Sequence, residues 1–201
     1  MTFKSFYLQT PLIKLYEPLF DLFAVNSNGD CEFSFIDAVK IAGHACPTVA
    51  GAYLMTYHGL RALYAEETPL RGNIQLLFSD KESAGVTGVI ANVMSSIVGA
   101  AGIGGFKGIG GHFNRQNNLL FEQVIPSQIA MKRIDSEKIV HMTYCPEIIP
   151  YYPELSFLLP KVLNNSAKKE EEEEFKRLWN LRLEKILIAG STTPNKLIKM
   201  H

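Results

Sequence analysis

The sequence lacks an excess of charge of either sign, since 20 lysine and arginine residues balance 20 aspartate and glutamate residues. Proteins that attract nucleic acid or anionic lipid through their overall field carry a basic excess. We therefore expect no nucleic-acid partner and no membrane partner. The composition, 47% hydrophobic and 20% charged, is that of an ordinary globular protein, and 201 residues suffice for one domain with a substantial core.

Cysteines are few and long apolar runs are missing. Cys31, Cys46 and Cys145 are an odd number, so we expect thiols or metal ligands in a reducing compartment, not a disulfide framework. Charged residues and prolines interrupt residues 1–23, which therefore do not resemble an export signal. Residues 86–109 are too rich in glycine for a membrane-spanning helix. These features predict a cytoplasmic protein.

Apolar residues at helical spacing predict a helix over residues 34–65. Ser34, with Asp37 three residues later, is typical of a helix N-terminal cap. Pro47 has no amide donor and clashes with the turn before it, so we expect a kink or a short break near Cys46. His44 and Cys46 would then lie at a helix discontinuity.

The rest of the pattern predicts a small sheet covered by helices. We expect strands over residues 73–78, 118–125, 129–134 and 139–144, a close-packed helix over 84–98 and a glycine-rich loop over 99–111. Polar helices should follow near residues 154–164 and 168–188. The predicted fold is therefore α+β. Residues 1–150 form a helix–strand–helix–three-strand core with a mixed or antiparallel sheet, and residues 151–201 form a C-terminal helical extension packed on it.

One short motif, Gly43-His44-Ala45-Cys46-Pro47, lies at the expected helix break. With the small-residue amphipathic helix after it, and the order of strands and glycine-rich segment that follows, it resembles the FmdE family of formylmethanofuran dehydrogenase components over residues 30–145. The resemblance implies a metal-binding α+β protein of one-carbon or redox metabolism. Residues 84–87 and 99–101 depart from the family pattern, because they lack the cysteines that the family tends to carry there.

His44 and Cys46 are the predicted metal ligands. On a continuous helix their side chains would point about 200° apart, whereas a break before Pro47 lets imidazole and thiolate converge on one ion. This pair of donors favours a transition metal, with Zn expected first and Ni or Fe as alternatives. Two ligands do not complete a tetrahedral site, so we expect His112 to join them, or else water or a second subunit. The alternative is a buried structural cysteine beside a helix-end histidine.

Lys107 and Arg115 lie within and just after the glycine-rich loop. We predict that these cations, with exposed backbone amides between them, bind a small anionic ligand beside the metal. The alternative is a flexible loop with two solvated cations. The loop lacks the Gly-Lys-Ser/Thr ending of a phosphate-binding P-loop, so a nucleotide is not expected. Cys46 and Cys145 both precede proline, a dipeptide that can supply a haem-thiolate ligand. Such dipeptides are common by chance, so a haem binder is the weaker alternative.

Two functions are consistent with these features. The first is a metal-binding protein whose ion polarises or senses a small anionic substrate, or which handles metal for another protein; whether it is an enzyme stays open. The second is a non-catalytic assembly module, in which the small-residue helix and the tail mediate dimerisation and the His-Cys pair is structural. We expect the protein to form a homodimer.

Overall fold

The computed structural model describes residues 3–201, which form both helices and strands. The helices are α1 (Ser5–Leu8), α2 (Pro18–Leu22), α3 (Phe35–Ala42), α4 (Pro47–Tyr64), α5 (Thr87–Val98), α6 (Glu154–Leu163), α7 (Lys169–Thr192) and α8 (Pro194–Leu197). The strands are β1 (Ile13–Tyr16), β2 (Asp30–Phe33), β3 (Ile74–Phe78), β4 (Leu119–Leu120), β5 (Ile129–Arg133), β6 (Ile139–Tyr144) and β7 (Ile198–Met200). The α+β prediction is confirmed.

The main sheet has five strands in the order β4-β3-β5-β6-β7. Only the pairing of β3 with β4 is parallel; β3 with β5, β5 with β6 and β6 with β7 are antiparallel, so the sheet is mixed. A separate antiparallel pair, β1 with β2, precedes it in the chain. The predicted order of helix, strand, helix and three strands is found in α4, β3, α5, β4, β5 and β6.

The long helix predicted from Ser34 onward is found as two helices, α3 and α4. Ser34 accepts a hydrogen bond from the amide of Asp37 at 3.3 Å and donates its own amide to the Asp37 carboxylate at 2.9 Å, which fixes the start of α3. Gly43, with φ of 75°, ends α3 in the left-handed conformation that glycine adopts without strain. Pro47 then occupies the first turn of α4, where its missing amide costs nothing. The predicted break is confirmed.

Helix α4 lies at the centre of the molecule, in contact with α5, α7 and β6. Such close approach needs small residues at the contacts. Gly51 lies under the ring of Tyr144, Gly59 lies under the side chain of Met131, and Gly190 of α7 receives Leu54. A Cβ at any of these glycines would come within about 2.4 Å of its neighbour. The core therefore forms around one buried helix that the sheet and the tail enclose.

Three parts of the chain differ from the prediction. The strand expected over residues 118–125 is limited to Leu119–Leu120, because Glu122 takes a left-handed conformation, φ 57°, and ends the pairing. The N-terminal residues form α1, α2, β1 and β2, none of which the sequence pattern predicted. After the expected helices α6 and α7, residues 198–200 form β7 and pair with β6. The C-terminal segment thus adds a strand to the main sheet, and its helix α7 packs on α4.

No helix among residues 3–201 combines the length and the apolar character that crossing a lipid bilayer would require.

Replacing Gly51 with alanine should destabilise the fold by about 1–3 kcal/mol, because overpacking forces side chains off their preferred rotamers. The new Cβ would lie 2.4 Å from the Tyr144 ring, which is held in place by a 2.7 Å hydrogen bond from its hydroxyl to the carbonyl of Pro47. Gly102→Ala is the control, since nothing lies within 4 Å of a Cβ there. Denaturant unfolding measures both; equal midpoints for the two variants would contradict the packing argument.

Candidate functional site

The connector between α3 and α4, residues 43–46, carries both predicted metal ligands. His44 is exposed, and its Nδ1 lies 3.0 Å from the carbonyl oxygen of Ala42. A carbonyl can only accept, so Nδ1 carries the proton in this contact, and in the neutral imidazole Nε2 then has a lone pair. A histidine held in this way has its ring orientation and tautomer fixed by the backbone beside it.

Cys46 is the N-cap residue of α4 and is 9% exposed. The residues on either side of it are anchored by side chains from distant parts of the chain. The indole Nε1 of Trp179 donates to the carbonyl of Ala45 at 2.9 Å, and the hydroxyl of Tyr144 donates to the carbonyl of Pro47 at 2.7 Å. Burial raises the pKa of the Tyr144 hydroxyl, so it stays a neutral donor. The tail helix and the sheet together fix the shape of the connector.

His112, the predicted third ligand, is exposed in the glycine-rich loop. Its backbone amide and carbonyl both bond to Ile109, at 3.0 and 2.9 Å, which closes a tight turn in the loop. Within residues 3–201 there is no group of three or more His, Cys, Asp or Glu side chains placed to hold a metal ion. The described chain therefore does not assemble His44, Cys46 and His112 into one site, and metal binding by His44 and Cys46 stays a prediction.

Lys107 and Arg115 have unlike surroundings. Lys107 is exposed, as expected. The side chain of Arg115 is only 8% exposed, and its Nη2 lies 2.7 Å from Oε1 of Glu17. The alternative that Arg115 is a solvated cation is therefore wrong. Gly72 makes the burial possible, because a Cβ on Gly72 would lie 1.4 Å from Nη1 of Arg115. Glu17 is 98 residues away, so no local pattern points to this contact.

Glu17, Arg71 and Arg115 form what we call the ion triad. Glu17 follows β1 and caps α2, its Oε1 accepting the amide of Leu19 at 3.0 Å. Backbone hydrogen bonds join Tyr16 to Pro69 and Arg71, both at 2.9 Å, and so bring Glu17 beside Arg71. Oε2 of Glu17 accepts Nη1 of Arg71 at 2.6 Å. Neither Glu17 nor Arg71 was predicted as a site residue, since isolated charges carry no local signature of pairing.

The two arginines of the triad use their donors differently. Arg71 donates Nε to the carbonyl of Ile97 at 2.8 Å and Nη2 to that of Ser96 at 2.7 Å, and thereby caps the C-terminal end of α5. Nη1 of Arg115 is buried and has no hydrogen-bond partner among the described residues. Burial lowers the pKa of the Arg115 guanidinium and Glu17 opposes that shift; an arginine nevertheless stays charged in proteins. Two cations and one carboxylate leave the triad with a formal charge of +1.

A cleft of about 550 Å³ opens above the triad. Its floor includes Glu17, Arg71 and Arg115, and its other walls come from α2, the end of α5 and the glycine-rich loop. The apolar side chains at its rim are exposed to between 43% and 62%: Phe23, Val25 and Phe106. The cleft therefore combines an apolar mouth with a charged floor.

The remaining cysteines, and one further histidine, have roles in packing. Cys31 and Cys145 are buried free thiols, and burial raises the pKa of each, which makes them poor nucleophiles. Nε2 of His58 lies 2.7 Å from the carbonyl of Gly190 and ties α4 to α7; burial lowers the pKa of this imidazole. The contact gives His58 a packing role.

Replacing Glu17 with glutamine should lower the free energy of unfolding by about 3–5 kcal/mol, the usual effect of removing one partner of a buried ion pair. Two guanidinium groups would then lie together in the interior without a counter-charge. Glu32→Gln is the matched control, because Glu32 pairs with Lys14 at 3.2 Å on the surface. This variant should lower the free energy of unfolding by less than about 1 kcal/mol. Urea unfolding of both variants compares the two; equal losses would mean that the triad does not stabilise the fold.

Neither a scan of the chain against protein-family models nor a search of curated proteins found a match.

Proposed function

We propose that this protein holds a transition-metal ion through Nε2 of His44 and Sγ of Cys46. The observation that carries the proposal is the break between α3 and α4, which places both residues in one non-helical connector. On a single straight helix, residues two apart face roughly opposite directions and cannot share an ion. The break removes that obstacle.

The surroundings of the two donors support the proposal. Metal-binding histidines usually donate their second ring nitrogen to a carbonyl or carboxylate, as Nδ1 of His44 does to Ala42. Cysteine binds metal as the thiolate, and Cys46 immediately precedes the N-terminal turn of α4, where the helix dipole favours negative charge. The pair of an imidazole and a thiolate suits Zn first, then Ni or Fe.

Two protein ligands leave coordination positions for water, a substrate or a second copy of the chain. An ion with an open position would supply Lewis acidity and lower the pKa of bound water. The protein itself would position the donors, through the Trp179 and Tyr144 contacts on either side of Cys46. We propose a role for this site in one-carbon or redox metabolism on the resemblance of the Gly43–Pro47 motif alone, with a homodimer as the assembly that could complete it.

The second candidate function is an assembly module in which His44 and Cys46 only shape the connector. The low exposure of Cys46 and the anchoring of both its neighbours favour this role. Helix α5, the small-residue helix expected at a dimer interface, packs on α3 and α4 of its own chain. Dimerisation through α5 and the tail stays a prediction.

Elemental analysis of the purified protein, with His44→Ala and Cys46→Ala variants, separates the two functions. The proposal expects close to one transition-metal ion per chain, or one per two chains if a second copy supplies ligands, and loss of that metal in both variants. Cys31→Ala is the matched control, because it removes another buried thiol from a different part of the fold. Circular dichroism should show that all variants remain folded.

Replacement of the native metal by Co²⁺ gives a second measurement. A thiolate ligand produces a charge-transfer band, which Cys46→Ala should abolish and Cys31→Ala should keep. Metal retained in folded His44→Ala and Cys46→Ala proteins, or no metal in the wild-type protein after reconstitution, would overturn the metal proposal in favour of the assembly module.

A further inference from the structure

We propose that the cleft above the ion triad binds a small apolar carboxylic acid, with its carboxylate toward Arg71 and Arg115 and its apolar body at the mouth. The site differs from the predicted one, since it uses Arg71 with the buried Arg115 in place of the exposed Lys107. It is also separate from the connector of His44 and Cys46, neither of which lines the cleft.

The charge of the triad is the first argument. Glu17 is 1% exposed and faces two guanidinium groups, so one positive charge is left without a counter-charge in the floor of the cleft. A buried charge is costly unless a charge of opposite sign approaches it. A monocarboxylate would bring the local sum to zero, whereas a neutral ligand would leave it at +1.

The unpartnered donor of Arg115 is the second argument. Arg71 already directs Nε, Nη1 and Nη2 to protein acceptors, so it has little left for a ligand. Nη1 of Arg115 has none, although the side chain is more than nine-tenths buried. It lies against Gly99, which lines the cleft: a Cβ on Gly99 would be 2.8 Å from Nη1. Because Nη1 is buried behind the Gly99 backbone, the charge of Arg115, and not a direct hydrogen bond from Nη1, would attract the carboxylate.

The shape and lining of the cleft are the third argument. Its volume of about 550 Å³ is in the usual range for small-molecule sites, which are mostly apolar with a few polar groups that fix orientation. Its apolar lining includes Phe20, Phe23, Val25 and, from the glycine-rich loop, Phe106. Ser95 and Ser96 also line the cleft. An inorganic anion would leave the apolar rim unused.

Isothermal titration calorimetry of the full chain with octanoate tests the proposal, and octanamide and inorganic phosphate are the comparison probes. Octanoate should bind with one site per chain. Octanamide, which has the same apolar body and no charge, should bind at least about tenfold more weakly, because it leaves the positive charge of the triad without a counter-charge. Inorganic phosphate should bind more weakly than octanoate as well. Equal binding of octanoate and octanamide, or stronger binding of phosphate, would overturn the proposal.

Three variants locate the binding site. Arg115→Met should abolish octanoate binding, and Phe23→Ser, which alters a side chain that is 59% exposed and so should not disturb folding, should weaken it by roughly fivefold through loss of apolar contact. Lys107→Met is the matched control: it removes an exposed cation from the same loop and should leave the affinity within about twofold. If Lys107→Met weakened octanoate binding and Phe23→Ser did not, the anion would bind on the loop surface and the cleft proposal would fail.

Discussion

Glu17 lies enclosed between Arg71 and Arg115, and this contact joins three segments that are far apart in the sequence. The partners are 54 and 98 residues from Glu17, so each closes a long loop of chain. The same carboxylate caps α2, and Arg71 caps the end of α5. Because one buried carboxylate contacts all three segments, the positions of the β1–β2 pair, the start of the main sheet and the glycine-rich loop are mutually dependent.

Helix α4 organises the other half of the molecule. The sheet, α5 and the tail helix α7 all contact it, and glycines at positions 51, 59 and 190 let them approach closely. Its first turn begins at the His-Cys connector, so the packing of the core and the geometry of the proposed metal ligands depend on the same helix. The ion triad and the connector are thus two separate features of one fold: electrostatic contacts shape the first, and packing shapes the second.

Much of the fold could be predicted because it rests on local patterns: a cap at Ser34, a proline at position 47, and alternating or helical apolar spacing. The strand of residues 198–200 and the β1–β2 pair could not be predicted, since these strands are short and gain stability from distant partners. The break at the His-Cys motif was predictable for the same local reason as the cap. The burial of Arg115 was not, because it depends on Glu17 and on the space left by Gly72.

Trp179 is the only tryptophan in the sequence, and its indole nitrogen bonds to the residue just before Cys46. The chain therefore carries an intrinsic optical probe at the junction of the tail helix with the connector. Selective excitation of this indole reports the polarity of one small region, not an average over several sites. Undocking of α7 and rearrangement of the connector would both change the Trp179 emission, so fluorescence alone would detect either event. Fraying of the sheet edge at β4 would leave the emission unchanged.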